Sequence, residues 1–537
     1  MFTAITFIGF TVAVAVLSWY KTKDDNLETQ DGYFLAGRGL TGTVIAGSLM
    51  LTNLSTEQLI GNSGQAYASN MGPMAWEATS AGALVILALV FLPIFLKSGI
   101  TTIPEYLEER YDPMVKRIVS IAFLVGYLIT YLPTVLYSGA LVLNRLFGIE
   151  DLLGVSQIDA VTMICVAIGI VGSIYAVFGG LKAVAVSDTI NGAGLLIGGL
   201  AIPVLAFMAL GDGNIFAGVK DLIENIPADK FNAINPADAQ APMIPWPVLF
   251  TGLLFNNLFY WCTNQAIIQR TLGAKNLAEA QKGAIFAGFL KLIGPFFITI
   301  CGIIAFRMFG PNLATPDEAY PMLVLEVLPT WLIGFFAAVL FGAILSSFNS
   351  ALNSCMTLYT LDIHKPLFKK DATDKELVKI GKIFGVVLAA VSIAVAPLVA
   401  NAPSGLYDFL QECFGYYNVP ILAAVILAFS TKRVPALAPK VALVAHVVLY
   451  AGSKFVPFEH IFGFDVHYLY ILAVLFPVNI LIMLFIGKIA PRETDFIQKN
   501  ADVVDLTPWK HRKVASAIAV VLMVLLYVLF SPLGLAG

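Results

Sequence analysis

The sequence predicts an all-α, polytopic membrane protein with about fourteen transmembrane helices. Its 537 residues are 58% hydrophobic and only 12% charged, which leaves too little polar surface for a soluble globular protein of this length. Apolar stretches long enough to cross a bilayer recur along the whole chain, and the connections between them are short. We therefore expect a lipid bilayer around the protein and no separate soluble domain.

The first apolar stretch, 2–20, has no small-residue cleavage site before Lys21, so we interpret it as an uncleaved span. The predicted spans are 2–20, 43–66, 72–96, 117–144, 158–178, 189–211, 246–268, 283–306, 331–360, 383–399, 405–430, 435–453, 466–487 and 514–532.

Basic residues predict the orientation of these spans. With the N-terminus outside, the inner connections hold 26 of the 32 Lys and Arg residues, among them Lys182 and Arg270. The outer connections hold 5, and the remaining one, Lys291, lies within a span. Because inner connections of membrane proteins are enriched in Lys and Arg, both termini are predicted to lie outside.

Two of the spans are interrupted by polar residues. The first interruption runs from Thr52 to Gln58, and the second runs from Asn256 to Gln265. Such a stretch suits a membrane only where it lines a cavity, since every backbone polar group needs a partner in hydrocarbon. Broken spans are typical of the substrate and ion sites of secondary transporters. One broken span in each half predicts a binding site between them.

Lys291 and Glu77 are ionisable residues in apolar segments. A lysine this deep in a span needs a cavity and a partner, which predicts contact with a substrate or an acid; a hydrogen bond to loop carbonyls is the alternative. Glu77 follows Trp76, and Ser80 lies on the same helical face. A carboxylate beside an aromatic ring suits a polyhydroxylated ligand, although Glu77 could instead be an outer-end acid that reaches the headgroups.

Neutral amides add to this set. Gln58, Asn257 and Asn264 can both donate and accept, which suits sugar hydroxyls, but each amide could also join helices. Tyr260 lies on the face of Asn257 and could stack as a lid or simply pack.

Small polar side chains form a helical stripe in the ninth span at Ser346, Asn349, Ser350 and Asn353. Hydroxyls and freed carbonyls can dehydrate a sodium ion, whereas close helix packing is the alternative role for such residues. Asp188, at the start of the sixth span, is a candidate counter-charge at the inner mouth. The chain contains no GxxxxGK[ST] loop, so the sequence gives no sign of an ATP-driven motor.

Six segments resemble the sodium:solute symporter family, and within it the sodium/glucose cotransporter branch, including bacterial sodium/galactose members. The resemblance spans nearly the whole chain in order. Its segments are Asp31-Gly-Tyr-Phe-Leu-Ala-Gly-Arg38, Asn53-Leu-Ser-Thr-Glu-Gln58, Ile103-Pro-Glu-Tyr-Leu-Glu-Glu-Arg110, Phe178-Gly-Gly-Leu-Lys-Ala-Val184, Tyr260-Trp-Cys-Thr-Asn-Gln-Ala-Ile-Ile-Gln-Arg270 and Ala343-Ile-Leu-Ser-Ser347.

The resemblance implies a leucine-transporter-like fold with a 5+5 inverted repeat. The predicted organisation is a leading helix and inner loop (1–42), a first repeat (43–211), an outer loop (212–245), a second repeat (246–430) and three trailing helices (431–537). It also implies a location in a bacterial inner membrane.

The resemblance implies the site residues as well. The sugar site would use Gln58, Glu77, Ser80, Asn257 and Lys291, with Tyr260 as inner gate and Gln411 as the loosely aligned glutamine of the eleventh span. The sodium site would use carbonyl oxygens of Leu51, Leu54 and Ala343 and the hydroxyls of Ser346 and Ser347. Two residues depart from the galactose-type pattern: Asn62 replaces a methionine and Trp76 replaces a tyrosine.

The expected function is sodium-coupled sugar uptake by alternating access, without enzymatic chemistry and without a nucleic-acid partner. Symport of another organic solute, such as an acidic sugar, an amino acid or a vitamin, is the alternative, and a membrane solute sensor is less well supported. A second sodium ion could be held by Asp188, Ser346, Asn349 and Ser350, which favours two sodium ions per sugar. Alternatively, Asp188 pairs with Lys182.

Overall fold

A computed structural model of the protein describes residues 2–240, 242–401, 406–463 and 466–537. In these residues the backbone forms helices joined by turns, with three isolated bridges and no sheet. This confirms the all-α prediction. Below, "outer" denotes the membrane side on which the N-terminus lies.

The first half of the chain contains the leading helix, the first broken span and the helices that surround it. The helices are α1 (Phe2–Thr22), α2 (Gly42–Asn53), α3 (Thr56–Ala68), α4 (Met74–Ser98), α5 (Ile103–Arg110), α6 (Pro113–Phe147), α7 (Gln157–Leu210) and α8 (Ile215–Asn225).

The second half contains the second broken span, its neighbours and the trailing helices. They are α9 (Gly252–Cys262), α10 (Gln265–Leu272), α11 (Leu277–Ile293), α12 (Thr299–Phe309), α13 (Ala319–Val327), α14 (Thr330–Thr357), α15 (Asp374–Val395), α16 (Leu406–Phe414), α17 (Asn418–Ser430), α18 (Leu437–Ser453), α19 (Tyr468–Ile489) and α20 (Arg512–Leu529).

Each of the fourteen predicted spans corresponds to one or two of these helices. Nine helical stretches of the described chain are long and apolar enough to cross a membrane, and α16 with α17, bent by 46°, makes a tenth. The 54-residue α7 counts as two spans, because Gly180 breaks it with a φ of 63°. The pairs α2/α3 and α9/α10 and the shorter α18 complete the set.

The lipid-facing surface of the peripheral helices is apolar. Val16 on α1 and Val521 on α20 are more than half exposed, in agreement with lipid contact. In the interior, α7 packs against α14 and α2, while α11 packs against α2 and α4. In the second broken span, α9 packs against α4, and α10 packs against α2 and α14, so both broken spans lie among the central helices. The proposed division into two repeats stays a prediction.

Candidate functional site

The first broken span opens at Leu54 and Ser55, between α2 and α3. In a continuous helix the Ser55 amide would donate to the Leu51 carbonyl, but here it donates to the Asn53 carbonyl at 3.0 Å. The Leu51 carbonyl thereby loses its helical donor. The Ser347 hydroxyl of α14 donates to the Thr52 carbonyl at 3.0 Å, so α14 lies directly against the break.

The second broken span opens at Thr263 and Asn264, between α9 and α10. Asn264 caps α10, because its Oδ1 accepts from the Ala266 amide at 3.0 Å. The same oxygen accepts from the Tyr127 hydroxyl at 2.6 Å. The side-chain oxygen of Asn264 therefore stabilises the break. It makes no hydrogen bond to the other predicted sugar-site residues in the described chain.

A buried ion pair lies where the two broken spans face each other. Lys291 Nζ is 2.5 Å from Glu77 Oε2, and both side chains have no exposed surface. Gln58 donates its side-chain amide to Glu77, and Lys291 also donates to the Asn53 side chain. The ammonium lies 5.8 Å from the ring centre of Trp261. Residues of α3, α4, α9 and α11 thus meet at one charged centre.

Ser80 lies one turn after Glu77 on α4 and is next to Asn257 of α9. Asn257 donates to Thr79 Oγ1 at 2.5 Å, and its carbonyl oxygen is 3.5 Å from the Ser80 hydroxyl. Gln411 is not in this group: it accepts from the neighbouring Asn256 at 3.2 Å. Tyr260 interacts with Asn53, which places it on the side of the first break.

The proposed sodium ligands are distributed around the first break. Leu51, Leu54, Ala343 and Ser347 have no exposed surface. Thr52 Oγ1 lies 3.4 Å from the Ser346 hydroxyl and 3.2 Å from that of Ser350. The structure thus brings the hydroxyls of α14 to the break of the first span.

Asp188 has a basic partner that the sequence did not indicate. Its Oδ2 accepts from Ser48 at 2.6 Å and lies 3.7 Å from Arg270 Nη2. Arg270 also donates to Ser48 and to the Ser350 hydroxyl. Arg270, counted from the sequence as a charge of an inner connection, is in fact fully buried. Lys182, the partner considered for Asp188, instead pairs with Asp25 at 2.5 Å.

Asn349 faces away from Asp188. Its Oδ1 lies toward Gly172 of α7, where it would be 3.2 Å from an added Cβ atom, and it helps to line a small cavity with Asn191 and Tyr175. The structure therefore groups Asp188, Ser346 and Ser350 through Thr52, and leaves Asn349 outside that group.

Two aromatic side chains, Trp76 and Tyr407, form a roof over the charged centre on the outer side. Trp76, next to Glu77, meets Tyr407 edge to face at 5.4 Å. Gly61 lies under Tyr407 so closely that a Cβ atom there would be 2.6 Å from the Tyr407 Cβ. Beside them, Gln65 donates to Asp408 at 2.9 Å.

Beyond this roof is an outer cavity of about 670 Å³, lined by residues that include Gly61, Gln65, Tyr407 and Asp408. Asp317 also lines it, and partial burial raises the pKa of its carboxyl above the ordinary value. Tyr407 belongs both to the roof and to the wall of this cavity, and Gly61 beneath it also lines the cavity. The roof therefore separates the outer cavity from Glu77.

Comparison with known proteins places this arrangement in a family. The model of the sodium:solute symporter family matches residues 33–448. The chain belongs to that family. It is a transporter rather than an enzyme, and it uses sodium.

Named relatives agree with the family match. The chain is 48% identical to the uncharacterised symporter YidK of Escherichia coli over 95% of its own length and 88% of that protein. It is 33% identical to the sodium/glucose cotransporter of Vibrio parahaemolyticus, covering 84% of this chain and 86% of that one.

Among solved structures, an outward-open, substrate-bound Na⁺-coupled sialic acid symporter superposes with a TM-score of 0.76. The two chains are 21% identical, and the match covers 91% of this chain and 98% of the other. At this identity the likeness concerns the fold, which is that of the leucine-transporter class.

Several residues of these clusters were not among the predicted site residues. Asn53 and Thr52 lie within the first interruption itself, so their position was a usable signal. Arg270 follows the second break on the short helix α10, where a charge so close to a membrane interior needs a partner. Ser48 and Thr79 carry no comparable signal, since a lone hydroxyl in an apolar helix usually bonds its own backbone.

Proposed function

We propose that this symporter couples inward sodium movement to the uptake of a sugar by alternating access. The observation that carries the proposal is the buried centre of Glu77, Lys291 and Gln58 between the two broken spans. A carboxylate accepts, an ammonium donates and an amide does both, so the three together can pair with several hydroxyls of one ring. The identity with a sodium/glucose cotransporter supports a sugar as the solute.

Glu77 also argues against an acidic substrate. A carboxylate on the solute would stand near the Glu77 carboxylate and would compete with it for Lys291. Neutral hydroxyls can instead insert between the two charges without a change in net charge. We therefore place neutral sugars before acidic sugars, amino acids and other organic solutes.

We propose that sodium binds at the first break, with carbonyl oxygens of Leu51, Leu54 and Ala343 and the hydroxyls of Ser346 and Ser347 as ligands. Sodium prefers hard oxygen ligands, and neutral ones hold it without fixed charge. The hydrogen bond from Ser347 to the Thr52 carbonyl supports this placement, because it keeps α14 against the break.

The second sodium site has a competitor in Arg270. The guanidinium already uses the Ser350 hydroxyl and lies beside Asp188, which are two of the four oxygens expected for a second ion. A buried carboxylate that is paired in this way needs no further cation. We therefore propose one sodium ion per sugar, in place of the two that the sequence favoured.

The test is transport by the full-length protein in proteoliposomes against a panel of radiolabelled neutral hexoses, with a sialic acid and an amino acid as comparisons. We expect an inward sodium gradient, and not a proton gradient in sodium-free buffer, to drive accumulation of at least one neutral sugar. Accumulation of only the acidic solute would refute the sugar proposal and leave sodium coupling in place.

A further inference from the structure

Asn62 has a buried side-chain amide with no hydrogen-bond partner within the part of the chain that the structure describes. Both its Nδ2 and its Oδ1 are without a partner, although the residue has no exposed surface. Buried amides are nearly always hydrogen-bonded, so an unpaired one indicates a missing partner. Within the described chain, three other residues of α3 share this property at one atom each: Gln58 at Oε1, Ser63 at Oγ and Gln65 at Oε1.

The geometry of α3 places Asn62 above the charged centre. At 3.6 residues per turn, Asn62 lies about 40° around the helix from Gln58 and about 60° from Gln65. Gln58 reaches Glu77 on the inner side, and Gln65 reaches Asp408 on the outer side. Asn62 is thus one turn outward of Gln58, between the contact to Glu77 and the contact to Asp408.

The side chain also leans in the right direction. Helical side chains point back toward the N-terminus of their helix, which on α3 is the side of Gln58. Gly61, the residue before Asn62, packs against the roof residue Tyr407. Asn62 is about 100° around α3 from Gly61 but only about 40° from Gln58, so its amide lies on the side of the helix that carries the free oxygen of Gln58.

We propose that Asn62 is a specificity-determining residue that binds a hydroxyl at the outward end of the sugar. This inference rests on the proposed sugar function and adds which end of the ligand is recognised. An amide both donates and accepts, so it fits a hydroxyl, which does the same. A site built to pair a hydroxyl rejects the analogue that lacks it, because its own polar atoms are then left unpaired.

The substrate class that follows is a neutral sugar with its full set of hydroxyls. Deoxygenation at the single carbon that faces Asn62 should weaken binding, whereas deoxygenation elsewhere reports on Gln58, Glu77 or Lys291. The apolar replacement Asn62→Met should remove this discrimination.

The neighbouring Ser63 provides a matched control. Among the residues that the structure describes, its hydroxyl is also buried and has no hydrogen-bond partner, but it lies about 100° around the helix from Asn62. Its carbonyl faces Gly302 of α12, so this side of α3 packs against another helix. Ser63→Ala therefore removes a polar atom at the same depth without touching the proposed contact.

The experiment measures sodium-driven uptake by wild type, Asn62→Met, Asn62→Ser and Ser63→Ala, with competition by a series of monodeoxy analogues of the transported sugar. For wild type we expect one analogue to compete about tenfold more weakly than the parent sugar, as the loss of one buried hydrogen bond gives. In Asn62→Met this analogue and the parent should compete equally, with the parent weakened. Asn62→Ser, which keeps a small polar group, should discriminate partly, and Ser63→Ala fully.

Two negative outcomes are distinguishable. In the first, Asn62→Met still transports, and it either lowers the competition by all analogues by the same factor or leaves the discrimination intact. Asn62 is then not a ligand contact, and only this inference fails. If the wild type accumulates no neutral sugar under a sodium gradient, the proposed function fails and takes the inference with it. Should Asn62→Met not fold, Asn62→Ser decides by the same comparison.

Discussion

The carboxylate of Asp188 and the guanidinium of Arg270 lie 3.7 Å apart, and neither side chain is exposed to solvent beyond 1%. Removal of one partner would leave the other charge buried and unpaired. We expect Asp188→Asn to lower the free energy of unfolding by about 3–5 kcal/mol, and the double variant Asp188→Asn with Arg270→Gln to recover part of the loss. Thermal unfolding of the purified protein in detergent measures both.

The pair of Lys182 and Asp25 is the control for this prediction. It is a close ion pair of similar type, but both side chains are 20–30% exposed. Asp25→Asn should therefore cost only about 0–1 kcal/mol. Equal losses in Asp25→Asn and Asp188→Asn would show that burial of the Arg270 pair has no special role.

The number of sodium ions transported per sugar tests whether Arg270 takes the place of a second sodium ion. If Arg270 replaces a second ion, reversal potentials in proteoliposomes should give one sodium ion per sugar. Asp188→Asn should leave that ratio unchanged in whatever fraction of protein folds, since Asp188 would hold no sodium. A ratio of two in wild type that falls to one in Asp188→Asn would mean that sodium displaces Arg270 from Asp188.

The Glu77 and Lys291 pair should be needed for the substrate beyond its contribution to folding. We expect a loss of about 1–3 kcal/mol in the free energy of sugar binding from each of four single substitutions, because each leaves a partner unpaired. These are Glu77→Ala, Lys291→Ala, Gln58→Ala and Asn257→Ala. The double variant Glu77→Gln with Lys291→Met should restore stability relative to either single change and should still not bind. Calorimetric titration with the transported sugar measures binding, and recovery of binding in the double variant would contradict the assignment.

Ser347 should affect sodium and not the sugar. Ser347→Ala removes a proposed ligand and the hydrogen bond to the Thr52 carbonyl, so we expect the sodium concentration for half-maximal uptake to rise about tenfold. At saturating sodium the sugar affinity should be close to that of wild type. Ser392→Ala is the control, because that buried hydroxyl only donates to its own helix, at Leu388.

Gly61 should be required for closure of the roof. A Cβ atom would meet the Tyr407 Cβ at 2.6 Å, so Gly61→Ala should hold Tyr407 away and leave the outer side open. We expect faster thiol labelling of a cysteine introduced at Tyr137 in the outer cavity, together with slower turnover. Gly9→Ala should change neither, because no atom of the described chain lies within 4 Å of a Cβ added at this position on α1.

Both helix breaks could be placed to within a few residues from the sequence, because a polar run such as Thr52 to Gln58 suits a membrane only where it lines a cavity, and broken spans are typical of such places. The break itself is shorter than the run, since only Leu54 and Ser55 lie outside the two helices. Asn264 was placed in the right span, yet its role as a cap was missed, although an asparagine that opens a helix is a common N-cap. The stripe of α14 was too coarse a guide: Ser350 and Asn349 are neighbours and point about 100° apart, toward Thr52 and toward Gly172 respectively.

Arg270 shows the other limit. Counting charges assigns a residue to one side of the membrane from its place in the chain, and the break at Asn264 starts α10 within the protein. The partner of Arg270 is 82 positions away in sequence, on α7, and only the tertiary fold brings the two together. No spacing rule connects them.

The bond between Gln65 and Asp408 has a consequence for how often the transporter opens. It joins α3 to α16 at the edge of a cavity, next to the edge contact of Trp76 and Tyr407. One hydrogen bond to a charged group and one ring contact amount to about 2–4 kcal/mol. A free-energy difference of that size keeps a minor open population of roughly 0.1–3% at equilibrium. Thermal fluctuations would then open the outer side in a small fraction of molecules, and the sodium ion and the solute would only have to shift this equilibrium.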